Sequence, residues 1–139
     1  MKVLIDTCVI IDALQSRKHF ESDAQEIFIA AANRKIIGFI SAKAITDIYY
    51  LMHHYTHSDQ KSREVLNKLL TLFDVLDTLG IDCRKAIPSP VSDFEDAVMI
   101  ETAMRCEIDV IVTRNKEDFI KSNINVLSPK DFLIKLQSE

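Results

Sequence analysis

Short apolar runs recur along this chain, separated by longer amphipathic stretches. The runs at residues 2–6, 36–40 and 109–113 are almost entirely apolar and rich in β-branched side chains, so they predict strands buried on both faces. Residues 75–76 and 125–127 are weaker candidates of the same kind. The pattern therefore predicts about five strands, which is a common size for a single sheet.

Between the strands, apolar residues recur every three or four positions, which is typical of helices with one buried face. Strands that alternate with helices favour parallel pairing through right-handed crossovers. We therefore expect an α/β fold, a three-layer α/β/α sandwich with a central parallel sheet of about five strands, formed as one domain over residues 1–139. The predicted helices cover residues 21–34, 44–55, 59–73, a stretch after the Pro- and Ser-containing loop 87–93, and 130–136 with Ser128 as its cap.

Composition supports a folded domain. Hydrophobic residues make up 47% of the chain and charged residues 27%, a balance typical of a buried core with a solvated surface. Two glycines and three prolines are too few for a turn-rich all-β protein. Asp6 and Asp12 interrupt the first apolar stretch, which therefore resembles neither a signal peptide nor a membrane span. We expect a cytoplasmic protein without membrane contact.

The cysteines and the net charge limit the kinds of site that the chain can form. Cys8, Cys83 and Cys106 are odd in number and lack CxxC spacing, which argues against a disulfide framework or a thiolate zinc site. The formal net charge is −4, which disfavours the approach of a polyphosphate chain. Two divalent cations bound by carboxylates would offset that charge and present positive charge locally.

Polar residues follow two of the predicted strands. Asp6 ends the first run, and Thr113, Asn115 and Asp118 follow the run at 109–113. In parallel sheets, ligands bind beyond the carboxyl ends of the strands. We therefore expect these side chains to share one crevice.

Further acids lie on predicted helices. Asp93 opens a helix, where an N-cap role alone would explain it, although it also stands close enough to support a site. Asp96 shares its helical stripe with Ile100 and Ala103 and so points inward, and an inward carboxylate requires a compensating cation. Asp47 borders the apolar stripe of another helix, where the sequence leaves a solvated role and a functional role equally open.

The segments that carry these acids resemble a known family. Residues 3–12 (VLIDTCVIID) are similar to the opening of the PIN-domain family, and residues 94–103 with 109–119 resemble its third and fourth acidic motifs. The resemblance spans residues 2–133 in segment order, although 56–90 match only in helical character. It implies a three-layer fold and metal-dependent cleavage of phosphodiester bonds. The nearest subgroup is that of the bacterial VapC-like ribonuclease toxins, which typically cut structured RNA such as tRNA and are inhibited by a cognate antitoxin.

Carried over position by position, the resemblance implies a catalytic site that holds Mg²⁺ or Mn²⁺. It is also compatible with a homodimer. Oxygen ligands suit these hard cations better than zinc. Two departures stand out: the second acid is often Glu in the family, and position 8 is often Asn where this chain has Cys8. The implied metal ligands are Asp6, Asp47, Asp96 and Asp118, with Thr113, Asn115 and Asp93 in support.

Basic residues near the fourth acid are the candidates for contact with RNA phosphates. Arg114 and Lys116 flank Asn115, and Arg17 with Lys18 follows the first predicted helix. Guanidinium and ammonium groups supply most phosphate contacts in nucleic-acid complexes. Arg114 is the preferred candidate.

Three other interpretations compete with a PIN-type nuclease. His53 and His57 have the i, i+4 spacing of a metal pair but lack the Glu of an HExxH motif. The second interpretation is a phosphoryl-transfer protein that uses Asp6 as its nucleophile. A haloacid-dehalogenase-type phosphatase would need a second Asp two residues after Asp6, where Cys8 stands, and a receiver domain would need an acid pair at the first strand. The third is a non-catalytic PIN-type module that binds nucleic acid or acts as a scaffold.

Overall fold

The computed structural model describes residues 1–119 and 122–139. Within these residues, five strands form one parallel sheet in the order β3-β2-β1-β4-β5. The strands are β1 (Lys2–Ile5), β2 (Ile37–Ser41), β3 (Asp74–Leu76), β4 (Val110–Val112) and β5 (Asn125–Leu127). The helices are α1 (Thr7–Leu14), α2 (Glu21–Ala32), α3 (Ala42–Thr56), α4 (Asp59–Leu69), α5 (Gly80–Ala86), α6 (Phe94–Arg105) and α7 (Pro129–Gln137), with a 3-10 turn at Lys116–Phe119.

Two apolar cores cover the two faces of the sheet. Alternation along β1 sends Val3 and Ile5 into one core and Leu4 into the other. The first core also receives buried residues from α1, α2, α3, α4 and α7, while the second receives residues from α5 and α6. The predicted three-layer α/β/α sandwich is therefore confirmed. Strands buried on both faces explain why the sequence shows continuous apolar runs rather than alternation.

The predicted elements differ from the observed ones mainly at their ends. Asp6 leaves the first strand because its carboxylate accepts a hydrogen bond from the Thr7 N–H at 2.8 Å and caps α1. The helix predicted over 44–55 begins earlier, at Ala42, because Ser41 caps it. Ser128 caps α7 as predicted. None of the helices in the described part of the chain is long and apolar enough to cross a membrane.

Helix α5 has no counterpart among the predicted elements. Its seven residues are held through the buried Asp82, which accepts hydrogen bonds from the Leu79 N–H at 2.9 Å and the Thr102 hydroxyl at 3.0 Å. The Arg105 guanidinium pairs with the same carboxylate at 2.9 and 3.0 Å. Burial raises the pKa of Asp82, but the hydrogen bonds from these donors lower it by more, so the net pKa lies below the ordinary value. This ion pair fixes α5 against α6, the helix that carries Asp96.

The helix predicted to continue to Phe73 ends at Leu69 instead, and Phe73 turns into the core. Its ring packs edge-to-face against Phe28 at 5.1 Å between centroids and lies over Gly38 of β2. A Cβ on Gly38 would stand 2.6 Å from the Phe73 ring, closer than any real contact. Gly38 is thus required by packing rather than by backbone conformation.

We expect Gly38→Ala to lower the free energy of unfolding by about 1 to 3 kcal/mol, because the added methyl group forces the buried Phe73 ring to shift. The chain's other glycine provides the control. A Cβ on Gly80, at the start of α5, would meet only the end of the flexible Arg84 side chain at 3.4 Å. Gly80→Ala should therefore be neutral or slightly stabilising. Urea unfolding followed by circular dichroism measures both changes, and equal effects of the two substitutions would contradict this packing.

Candidate functional site

One open cleft lies at the carboxyl-terminal edge of the sheet, and we call it the acid cleft. It lies beyond the strand ends, where the sequence predicted a crevice, and all five candidate acids line it. Because β1 and β4 are parallel neighbours, their ends bring residues distant in sequence to the same place. The carboxylates and carboxamide lining the acid cleft are Asp6, Asp47, Asp93, Glu95, Asp96, Asn115 and Asp118.

Asp6 is the most tightly positioned of these acids. Its backbone N–H donates to the Val112 carbonyl at 3.0 Å, which continues the pairing of β1 with β4. One carboxylate oxygen accepts from the Thr7 N–H at 2.8 Å and the other from the Thr113 hydroxyl at 2.7 Å. Thr113 is fully buried and also accepts from the Asn115 N–H at 3.1 Å. Thr113 therefore orients Asp6 and holds the start of the loop that carries Asn115.

Asp96 faces the other acids from the first turn of α6. Burial, followed by the negative charges of Asp93, Asp6, Asp118 and Glu95, raises its pKa from the ordinary value of 3.8 to about 7. Asp93 is the N-cap of α6 and accepts from the Asp96 N–H at 3.0 Å. Asp93 thus has the capping role that its position in the sequence suggested, and it also lines the acid cleft.

Asp47 is paired within the protein, which the sequence did not predict. Its carboxylate accepts from the Lys43 ammonium at 2.6 Å, and the same ammonium lies 3.0 Å from Glu95 on α6. Burial lowers the pKa of Lys43, but the hydrogen bonds to Asp47 and Glu95 outweigh it and raise the net value. The i, i+4 spacing of Lys43 and Asp47 was the available signal in the sequence. The bridge to Glu95 depends on tertiary structure.

Asp118 and Asn115 enter the acid cleft from the loop after β4. Asp118 lies in the 3-10 turn, and its N–H donates to the Asn115 carbonyl at 3.0 Å. Both side chains are exposed. They therefore face solvent across the cleft from the partly buried Asp96.

Cys8 lies directly behind Asp6. Its sulfur is 3.6 Å from an Asp6 carboxylate oxygen and 3.8 Å from the Thr113 hydroxyl. Burial and the Asp6 charge raise the pKa of this thiol to about 11. Cys8 is therefore a neutral neighbour of Asp6 at physiological pH and not a thiolate ligand.

The basic candidates occupy different places. Arg114 forms a two-pronged ion pair with buried Asp12, at 2.6 and 3.1 Å, and its guanidinium stacks 4.0 Å from the Phe20 ring centre. Its charge is thus already compensated. Lys116 lines a different depression with residues of the 3-10 turn and β5, whereas Arg17 lines the acid cleft itself.

The donors lining the acid cleft are suited to a hard divalent cation because they are carboxylate oxygens. Among residues 1–119 and 122–139, however, no three Asp, Glu, His or Cys side chains are grouped closely enough to hold an ion as they stand. Like charges disfavour closer approach without a cation between them. This finding includes His53 and His57, so the described residues lend no support to a histidine metal site.

Comparison with known proteins gives a family match over most of the chain. A family model for the PIN domain matches residues 2–117. No curated protein sequence matches the chain. The match includes Asp6, Asp47 and Asp96 and ends one residue before Asp118.

Several solved structures share the fold. VapBC2 from Rickettsia felis, bound to a DNA fragment from its promoter, superposes with a TM-score of 0.69 at 12% identity, covering 92% of this chain and 98% of that one. A toxin-antitoxin complex from Klebsiella pneumoniae gives 0.67 at 20% identity, with 91% and 97% coverage. Mycobacterium tuberculosis VapC20, described as a toxin that cleaves the sarcin-ricin loop, gives 0.63 at 10% identity, with 88% and 98% coverage. At these identities the likeness establishes the fold.

We expect Asp96→Asn to stabilise the metal-free protein at neutral and higher pH. An acid whose pKa is raised by folding, here from 3.8 to about 7, destabilises the folded state increasingly as pH rises between those values. Asparagine carries no charge and removes that penalty. Urea unfolding in chelator from pH 5 to pH 8 measures the difference between variant and wild type.

The expected difference grows with pH and levels off above about pH 7, where both states of the wild type are ionised. Asp131→Asn, in the first turn of α7 and outside the acid cleft, is the matched control. A difference for Asp96→Asn that stays constant across this pH range would show that the carboxylate titrates normally.

Proposed function

Since this chain belongs to the PIN-domain family, we propose that it is a metal-dependent endoribonuclease and the toxin of a toxin-antitoxin pair. The observation that carries the proposal is that Asp6, Asp96 and Asp118 line one cleft, in which burial and then the neighbouring negative charges raise the pKa of Asp96 to about 7. Such crowding is costly without a cation. It is typical of functional sites.

The donor set suits Mg²⁺ or Mn²⁺, and Asp6, Asp96 and Asp118 are the residues that would hold the ion, with Asp47 as a fourth ligand or as a group that orients water. When bound, such an ion supplies the positive charge that offsets the phosphate and activates water for attack. In hydrolysis, one P–O bond to water forms while the bond to the leaving ribose oxygen breaks. The acidic cleft needs that positive charge because the whole chain carries −4.

The protein's own groups have distinct tasks in this scheme. Thr113 holds Asp6 in one orientation through the 2.7 Å hydrogen bond, so the carboxylate of Asp6 is already oriented before an ion binds. Asp96 must lose its proton to act as a ligand, which ties activity to a pH near its pKa of about 7 or above. Asn115 and Asp93 would support the metal site indirectly. Asn115 belongs to the loop after β4 that is hydrogen-bonded to Thr113, and Asp93 caps α6.

A protein partner is the second part of the proposal. Similar structures are described as VapBC and toxin-antitoxin complexes. Helix α3 exposes Tyr50, Leu51 and Tyr55, at 69%, 41% and 59% of their surface, and the first two line the acid cleft. Apolar surface of this kind suits a cognate antitoxin or a homodimer.

Structured RNA is the proposed substrate class, and tRNA and ribosomal RNA loops are members of it. VapC20, with the same fold, is described as cleaving the sarcin-ricin loop. A non-catalytic PIN module is the competing function, and the pairing of Asp47 with Lys43 favours it because a paired carboxylate is less available to a metal. Direct measurement of cleavage separates the two functions.

We expect the purified protein to cleave structured RNA with Mn²⁺ or Mg²⁺, and Asp6→Asn or Asp96→Asn to lower the rate more than about 100-fold, because each removes a charged ligand. A chelator should abolish cleavage, and Asp131→Asn should leave it unchanged. Loss of cleavage in the two cleft variants, purified in the same way as Asp131→Asn, excludes a contaminating nuclease. Gel analysis of labelled RNA gives the rates. Full activity of either cleft variant would remove that residue from the mechanism, and no cleavage by wild type would favour the non-catalytic module.

We expect expression of the wild type to arrest growth of the host and Asp96→Asn to be harmless, because toxicity would come from RNA cleavage. The product of an adjacent gene should co-purify with both proteins and relieve the arrest, since Asp96 lies on α6 and its substitution leaves the exposed side chains of α3 unchanged. Growth curves and pull-down measure the two effects. Active nuclease without arrest and without a bound partner would instead indicate a housekeeping enzyme.

A further inference from the structure

We propose that a hollow beside the acid cleft binds one unpaired nucleobase of the RNA, with Phe94 as the stacking surface and Lys43 as the contact to the adjoining phosphate. This inference rests on the proposed ribonuclease function and adds a subsite to it. The hollow lies between the start of α3, α5 and the start of α6. Its lining residues are Asp6, Thr7, Ser41, Lys43, Ala44, Asp47, Thr78, Cys83, Phe94, Glu95, Asp96, Val98 and Met99.

The hollow and the acid cleft are continuous, because Asp6, Asp47 and Asp96 line both. The hollow has a volume of about 220 Å³. Pockets for drug-sized ligands are larger, on the order of 300 to 1,000 Å³. The space therefore suits a single flat ring system next to a phosphate that is held at the acids.

The inner walls are apolar, although the entrance is acidic. Ala44, Val98 and Met99 contribute aliphatic and thioether surface on one side of the acids. Val98 and Met99 pack against the core beneath α6, which fixes their positions. A nucleobase has apolar faces and a polar edge, so it matches walls of this kind with the hydroxyl of Thr78 within the lining.

Phe94 is the residue that most strongly indicates a base. It is the first residue of α6, two positions before Asp96, and 53% of its surface is exposed. Only part of this ring is covered by the protein, and the ring lines the hollow. Stacking of single-stranded bases on exposed aromatic rings is the usual mode of RNA recognition at unpaired positions.

Lys43 supplies the charge that a nucleotide requires. Of the residues lining the hollow in the described part of the chain, it alone is a cation. Its partners Asp47 and Glu95 are 39% and 71% exposed at their side chains, so both ion pairs are weak in water and screened by salt. The ammonium can therefore turn from these carboxylates to a phosphate without a large cost.

An apolar peptide side chain would also fit the walls, but it would bring no anion to Lys43. A nucleotide places its phosphate on the acidic, metal-suited side and its base on the apolar side. The order of polar and apolar surface from the acid cleft into the hollow matches that polarity. The geometry therefore favours an RNA base over a peptide.

The test uses the absence of tryptophan from the 139 residues. In Phe94→Trp, the sole tryptophan keeps an aromatic surface at this position, and its fluorescence should be quenched when a base stacks on it. The probe is a six-nucleotide single-stranded RNA with Ca²⁺, which takes the same oxygen ligands. Gel electrophoresis verifies that the RNA stays intact. An abasic ribose-phosphate chain of the same length should cause little quenching, and Ile134→Trp, at an exposed position of α7, should not respond.

Affinity gives a second, independent measurement. Phe94→Ala should weaken binding of the labelled hexamer on the order of ten-fold, and Ile134→Ala should not change it. Lys43→Met should weaken binding and reduce the slope of log affinity against log salt by about one, whereas Lys68→Met on α4 should leave the slope unchanged.

The outcomes separate this subsite from the proposed function. Quenching of Phe94→Trp by RNA but not by the abasic chain, with the loss of affinity in Phe94→Ala, supports the subsite. RNA cleavage by wild type, with no fluorescence change in Phe94→Trp and unaltered binding by Phe94→Ala, overturns the subsite and leaves the ribonuclease intact. A fluorescence response of Phe94→Trp to a co-purified protein but not to RNA overturns it in favour of a protein ligand. If the wild type neither binds nor cleaves RNA, the ribonuclease function and the subsite are both overturned.

Discussion

The parallel pairing of β1 with β4 is the constraint on which the rest of this site depends. Ile5 lies opposite Val112, and the next residue, Asp6, donates its N–H to the Val112 carbonyl. This pairing places Asp6 beside Thr113, 107 residues away along the chain. Because both strands are buried on both faces, a slip in register would move apolar side chains between the two cores. The packing of the whole sandwich thus holds the Asp6–Thr113 contact in place.

The convergence of strand ends at this edge also brings several negatively charged carboxylates close together. Asp6 follows β1, Asn115 and Asp118 follow β4, and α6 adds Asp96 to the same cleft. A carboxylate that is partly buried among like charges either takes up a proton or gains a cation. The rise in the Asp96 pKa to about 7 describes the first state, and a bound dication would produce the second. Metal binding and proton release are therefore linked at this residue.

The sequence predicted those features that depend on local pattern. The strands, the caps Ser128 and Asp93, and the inward direction of Asp96 follow from spacing, because hydrophobic period and capping act within a few residues. Helix α5 escaped prediction because it is short and is held by an ion pair with Arg105, 23 residues further on. The Lys43–Glu95 ion pair was not predicted either, because it too joins residues far apart in the sequence. Contacts between distant elements leave no period in the sequence.

Arg114 shows why proximity in sequence is a poor guide to the role of a cation. It stands directly after Thr113, where a contact to phosphate was predicted, yet its guanidinium is paired with an Asp12 carboxylate that is only 1% exposed. Releasing Arg114 to a phosphate would leave the buried Asp12 with only the longer, 3.8 Å contact to Arg17, and weakening the pairing of a buried charge is costly. Lys43 pairs with carboxylates that are themselves exposed, so its release costs far less. The burial of the partner, and not the distance to the acids along the chain, therefore decides which cation is free to meet a substrate.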